Sequence, residues 1–128
     1  MNGQYDERLS FGEKELSSGA GALPNVLVAP IPDYLKGTVD VRCIEAAAGG
    51  TSITATLEGS TDGSVWKEVV KGSIIPAADL TMEGGKKPLQ TLTIPEEYDY
   101  THLRLNITTS GSFTAGKVNA YVNTYRGV

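Results

Sequence analysis

His102 is the one histidine of the chain and Cys43 its one cysteine, and these two residues limit the chemistry it can attempt. A single imidazole cannot assemble a histidine-based metal cluster within one chain. A Ser-His-Asp arrangement is formally open wherever serines and aspartates abound, but no nucleophile turn between strand and helix accompanies His102. By strand parity it lies beside Arg104 and Asn106, opposite Leu103, Leu105 and Ile107, as a solvent-facing or interface histidine does. Cys43 sits in the apolar run Val39-Asp40-Val41-Arg42-Cys43-Ile44, the setting of a packed thiol. A reactive thiol needs exposure and electropositive neighbours.

The remaining motifs are equally plain. Asp6-Glu7 and Glu96-Glu97 are adjacent carboxylates, and neighbours on a strand point to opposite faces rather than into one cleft. Gly19-Ala20-Gly21-Ala22 and Glu83-Gly84-Gly85-Lys86-Lys87 lack the spacing of a phosphate-binding loop and precede no helix. Asp62-Gly63 lacks the repeated acidic ligands of a calcium loop. No catalytic, cofactor-binding or metal-binding residue is assigned, and the expectation is a protein that is not an enzyme.

Whatever the chain holds must be held by strands. Eight segments carry alternating or β-branched residues: Arg8–Gly12, Asn25–Ala29, Thr38–Glu45, Ser52–Ser60, Val65–Val70, Leu89–Ile94, Thr101–Thr109 and Lys117–Tyr125. Fifteen glycines and six prolines fall mainly between them, as many turns require. The alanine run 46–48 is followed at once by Gly49-Gly50 and reads as a turn. The predicted fold is all-β, a two-sheet antiparallel β-sandwich or jelly roll of about eight strands. The whole chain, 1–128, reads as one domain with a short N-terminal arm of about residues 1–15. Glu13–Pro24 and Lys71–Lys87 read as long loops. In the second, Ile74, Ile75, Leu80 and Met82 either fold onto the core or meet a partner.

Charge and hydropathy narrow the partners. A net charge of −4 with scattered Lys and Arg argues against nucleic acid, whose binding rests on neutralised phosphates. No apolar stretch reaches the roughly 18 residues of a membrane helix, and the polar start has no apolar core of a signal peptide. With no disulfide framework, synthesis in a reducing cytoplasm is expected.

Two motifs invite a binding role. In Glu58-Gly59-Ser60-Thr61-Asp62-Gly63-Ser64-Val65-Trp66, Asp-Gly supplies a tight hairpin turn and Trp66 returns to cap the core. A core or sheet-edge Trp66 is the expectation, and an exposed one would instead stack on a sugar ring. The last strand places Val118, Ala120 and Val122 on one face and Asn119, Tyr121, Asn123 and Tyr125 on the other. That second face admits two readings, an ordinary solvated or sheet-covering face or an interface.

Asp6-Glu7-Arg8-Leu9-Ser10-Phe11, the Asn25-Val26-Leu27 strand opening, Leu103-Arg104-Leu105-Asn106-Ile107 and Phe113-Thr114-Ala115-Gly116-Lys117-Val118-Asn119-Ala120 together resemble one family. It is the jelly-roll capsid cement (decoration) proteins of tailed bacteriophages, in which Tyr/His-Leu-Arg-Leu-Asn is followed by Phe-Thr-Ala-Gly and a final strand. The resemblance spreads over most of the chain and is strongest from about residue 100; Lys71–Lys87 departs from it. It implies an accessory protein on the outer surface of the virion head that bridges neighbouring major capsid protein subunits, as a homodimer or homotrimer. The charged arm supplies the capsid-contact candidates Tyr5, Asp6, Glu7 and Arg8. The oligomer-interface candidates are Asn119, Tyr121, Asn123 and Tyr125. A carbohydrate-binding β-sandwich and a tail or baseplate structural protein are the alternatives.

Overall fold

A computed structural model describes residues 10–28, 37–81, 89–95 and 100–124. Among these residues ten strands form: β1 (Ser10–Glu15), β2 (Gly21–Ala22), β3 (Leu27–Val28), β4 (Gly37–Gly49), β5 (Ser52–Ser60), β6 (Lys67–Lys71), β7 (Ile75–Pro76), β8 (Gln90–Thr93), β9 (His102–Ser110) and β10 (Phe113–Thr124). Two 3-10 turns, Leu16–Ser18 and Ala77–Asp79, are the helical elements among the described residues. Every strand pairing is antiparallel. The first sheet runs β1-β10-β4-β8 and the second β2-β9-β5-β6. Because β9 and β5 pair along their full lengths, β3 joins β2 on the far edge of β9, and β7 joins β6 on the far edge of β5. The two-sheet antiparallel sandwich expected from the sequence is the fold.

Its core follows the two-residue period. Val39, Val41 and Cys43 of β4 face Ile53, Ala55 and Leu57 of β5, Leu103, Leu105 and Ile107 of β9, and Val118, Ala120 and Val122 of β10 across one buried layer. Each large aliphatic side chain buried there contributes roughly 1.5–3 kcal/mol.

Several boundaries differ from the sequence reading. Glu13, Lys14 and Glu15 continue β1 instead of opening a loop, pairing with Asn119, Val118 and Lys117. An edge strand tolerates charged residues, so no apolar alternation announces it. The alanines 46–48 extend β4 rather than turn. They lie beside Gly116, where an added Cβ would come within 2.9 Å of the Ala47 Cα. Within the long loop after Lys71, Ile75 pairs with Ile53 and Leu80 is fully buried, while Ile74 stays exposed. That part of the loop folds onto its own core. Met82 lies outside the described residues.

Both open sides of the sandwich are stitched by amides. On one side the Asn25 backbone N–H donates to the Phe11 carbonyl at 3.0 Å, and its side-chain amide donates to the Ser10 carbonyl at 3.2 Å. On the other, the Gln90 side-chain amide of β8 donates to the Ser73 hydroxyl at 2.9 Å and its carbonyl at 3.2 Å. The first bridge gives carbonyls of the edge strand β1 partners that they would otherwise seek from another chain, and the second ties β8 to the connection between β6 and β7.

At one end the chain passes between sheets twice, from β4 to β5 and from β9 to β10. The two crossovers stack: Gly50 N–H donates to the Ser112 carbonyl and Thr51 N–H to the Ser110 carbonyl, each at 2.8 Å. Gly50 has φ +69°, and a Cβ there would enter the Phe113 ring. Gly50→Ala therefore combines left-handed strain with overpacking and is expected to lower stability by about 2–4 kcal/mol in chemical denaturation. A loss below about 0.5 kcal/mol would show that the crossover is not packed this way.

Candidate functional site

The outward faces of the two sheets hold the residues with chemistry to offer. On the first sheet, register lines up Glu13, Asn119 and Arg42 in one row and Ser10, Tyr121, Asp40 and Thr91 in the next. Three of the interface candidates, Asn119, Tyr121 and Asn123, thus come together as successive outward positions of β10. Each has a different environment. Arg42 Nε–H donates to the Tyr121 hydroxyl at 3.1 Å, with the guanidinium carbon 5.8 Å from the ring centroid. Asn123 donates to Asp40 Oδ2 at 3.2 Å. Asn119 Oδ1 is buried without a hydrogen-bond partner. Tyr125 lies outside the described residues, as do Tyr5, Asp6, Glu7 and Arg8.

Asp40 was legible in sequence only as an outward strand residue, yet it is 5% exposed. Its Oδ1 accepts from the Thr91 hydroxyl at 3.2 Å and the Thr38 hydroxyl at 3.5 Å. A buried carboxylate is tolerable only when its oxygens are so engaged. The cross-strand threonines were the available signal, but pairing them with Asp40 requires the register.

On the second sheet, Glu58 and Arg104 face each other across β5 and β9, and Glu58 Oε1 accepts from Arg104 Nε–H at 2.7 Å. Glu68 lies opposite Glu58 on its other side, so Arg104 also offsets a like-charge pair. The guanidinium carbon stands 4.3 Å from the centroid of the Trp66 ring. Trp66 is half-buried over this pair and does not cap the core as the sequence suggested. The reason is the turn. Ser60 ends β5 and Lys67 begins β6, so Asp62-Gly63 belongs to a longer connection than a two-residue hairpin, and Trp66 emerges on the outer face.

That connection is ordered by two short side chains. Asp62 Oδ1 accepts from Ser64 N–H at 2.7 Å, Val65 N–H at 3.0 Å and the Ser60 hydroxyl at 2.9 Å. The Val65 and Ser64 amides, with Ser60, pull the exposed Asp62 carboxyl down to about 2 from 3.8. A pKa lowered by folding adds stability above the unfolded value; this increment is lost as pH falls from about 4 through about 2.

His102 is half-buried on the same outward face, its Nδ1 2.9 Å from the Thr101 hydroxyl. Cys43 is buried, donates its thiol to the Glu45 carbonyl at 3.0 Å, and has its pKa pushed up by burial. No group of three or more His, Cys, Asp or Glu side chains among the described residues is placed to hold a metal ion. Among the described residues, no helix is long and apolar enough to cross a membrane.

The Bbp16 family model matches residues 11–122. The chain belongs to the Bbp16 family. The match runs from Phe11 in β1 to Val122 in β10, so it spans the sandwich from its first strand to its last. Tyr5–Arg8, Asn123 and Tyr125 fall outside it, whereas Asn119, Tyr121 and the Glu58–Arg104–Trp66 group fall within. No curated protein matches the chain.

Trp66 is the one tryptophan of this Bbp16 protein and so reports on its own stack. Arg104→Ala is expected to shift its emission to longer wavelength and to lower stability by about 1 kcal/mol. Unchanged emission would mean that the guanidinium does not cover the ring.

Proposed function

We propose that this chain is a bacteriophage capsid cement protein. It binds the outer surface of an icosahedral head, bridges neighbouring major capsid protein subunits and stabilises the expanded, DNA-filled shell. The reading takes the Bbp16 family as a phage-related one and this member as a virion component made in the host cytoplasm.

One observation carries it: the strongest part of the resemblance to cement proteins, from about residue 100, falls on β9 and β10, an inner strand of each sheet, together with the crossover that joins them. The resemblance is thus strongest in strands that tie the two layers together, rather than in one surface loop. A disulfide-free sandwich closed at both sides suits a load-bearing role, since close-packed interiors yield little under pressure. The polar face of β10 fits contact with further copies of the chain in a closed dimer or trimer. Val26, Val28, Val65 and Ile74, the exposed large hydrophobics among the described residues, all belong to strands or connections of the second sheet. Such margins, with the N-terminal arm, suit capsid contact. The carbohydrate-binding alternative draws on Trp66, but Arg104 already covers one face of that ring.

The test is co-sedimentation of the purified protein with phage heads lacking it, in precursor and expanded forms, with polysaccharide alongside. Saturable binding to expanded heads at fixed stoichiometry is expected. Binding to polysaccharide alone would give the case to a carbohydrate module, and binding to tails alone to a tail or baseplate role. Ser10 already belongs to β1, so an arm deletion should end at Leu9. Removing residues 1–9 is expected to abolish head binding with the melting temperature unchanged; undiminished binding would exclude the arm.

The self-contact is tested separately. Tyr121→Ala is expected to weaken the oligomer at least tenfold in analytical ultracentrifugation, the loss of about 1.4 kcal/mol of contact. An unchanged association constant would place the interface elsewhere.

A further inference from the structure

Asp62-Gly63 belongs to a dipeptide class with chemistry of its own. The glycine amide nitrogen attacks the aspartyl Cγ, an N–Cγ bond forms, and the amide proton leaves with a carboxyl oxygen as water. Hydrolysis of the resulting succinimide at either carbonyl takes that water back and leaves α-linked or β-linked aspartate. No electrons are exchanged and no co-reactant other than water is needed. Asp62, Gly63 and Ser64 are exposed to solvent, the setting in which this reaction inserts an extra backbone carbon.

We propose that Asp62–Gly63 is a latent isomerisation site that the fold keeps closed, and that Ser60 is the group that closes it. Both reacting atoms are engaged elsewhere. The nucleophile's N–H donates to the Ser60 hydroxyl oxygen at 2.8 Å. The carboxylate is held toward the following residues, its Oδ1 accepting from Ser64 N–H, Val65 N–H and the Ser60 hydroxyl. The Asp62 N–H also donates to Ser60, at 3.1 Å. One hydroxyl thus gives its single proton and accepts two, its full capacity. Ser60 is 1% exposed at the end of β5, so the lock is anchored in the sheet rather than in the loop. Gly63 itself is fixed at φ +82°.

The same hydrogen bonds act on reactivity. The neutral acid releases its oxygen as water far more readily than the carboxylate does. A carboxyl held at about 2 rather than 3.8 has roughly sixtyfold less neutral acid at a given pH above both values (ten to the power 1.8). Geometry and ionisation therefore oppose ring closure together. The protection is a property of the folded chain and does not depend on which partner it binds.

The experiment ages the intact protein in warm, mildly acidic buffer and measures β-linked aspartate at position 62 by peptide mapping. Tryptic cleavage places Asp62 in the peptide 43–67, apart from Asn2-Gly3 in the peptide 1–8. Native protein is expected to accumulate the β-linked form at least about tenfold more slowly than the same protein unfolded in urea, the effect of roughly two lost hydrogen bonds. Equal rates would overturn the proposal. Ser60→Ala, confirmed folded by circular dichroism, is expected to isomerise roughly tenfold faster than the parent. A folded Ser60→Ala ageing at the parent's rate would overturn the role of Ser60. The native-against-urea comparison stands even where that variant fails to fold.

Discussion

Two backbone hydrogen bonds, from Gly50 to Ser112 and from Thr51 to Ser110, hold together the point on which the sandwich depends. The strands β4 and β10 lie inside the first sheet, and β5 and β9 inside the second. Each sheet therefore receives its inner strands from the same pair of crossovers. A shift of one residue at either crossover would turn the aliphatic face of a strand outward, because side chains alternate with period two. The glycines satisfy that constraint sterically as well as conformationally: at Gly50 the space a side chain needs belongs to Phe113, and at Gly111 to the Thr51 backbone. Once the crossovers are set, the core registers of all four inner strands follow.

With the inner strands fixed, the edges become the weak part of the architecture. An open sandwich offers unpaired backbone groups on four margins, and these promote aggregation. Asn25 and Gln90 deal with two of them by bridging from one sheet toward the other. The arrangement leaves Gln90 Oε1 buried and unpartnered beside Gly72. An unmet acceptor costs about 1–3 kcal/mol. That penalty is set against closure of a whole side.

The sequence was most legible where one physical signal dominated. Leu103, Leu105 and Ile107 of β9 and Val118, Ala120 and Val122 of β10 were evident as core residues from alternation, because burial on one face imposes it. Legibility failed where pairing, not hydrophobicity, made the strand. Glu13-Lys14-Glu15 carries no apolar pattern, and Ala46-Ala47-Ala48 favours no strand by propensity, yet both are held by β10. Trp66 misled for a related reason: its distance from Asp62-Gly63 suited a tight hairpin, while the Ser60–Asp62 bonds build a wider turn. Among the surface groups, β10 displayed its Asn and Tyr residues directly in the sequence. Asp40, and the Glu58–Arg104 pair, needed the cross-strand register that no single segment encodes.

The outer faces also bear on how such a protein can bind. Asp40, Asn123, Glu58 and Arg104 already make hydrogen bonds within their own sheets, and Tyr121 makes one with Arg42. A partner gains little by offering the same bonds again, since only the surplus over those broken counts toward affinity. Strong attachment through one small patch of these faces is therefore disfavoured. Attachment through several modest contacts at once is not, because each additional contact is made at high effective concentration. A surface lattice of repeated subunits presents contacts in that form. A rigid sandwich is suited to use them, since sites held at fixed spacing meet a fixed lattice without paying for order at the moment of binding.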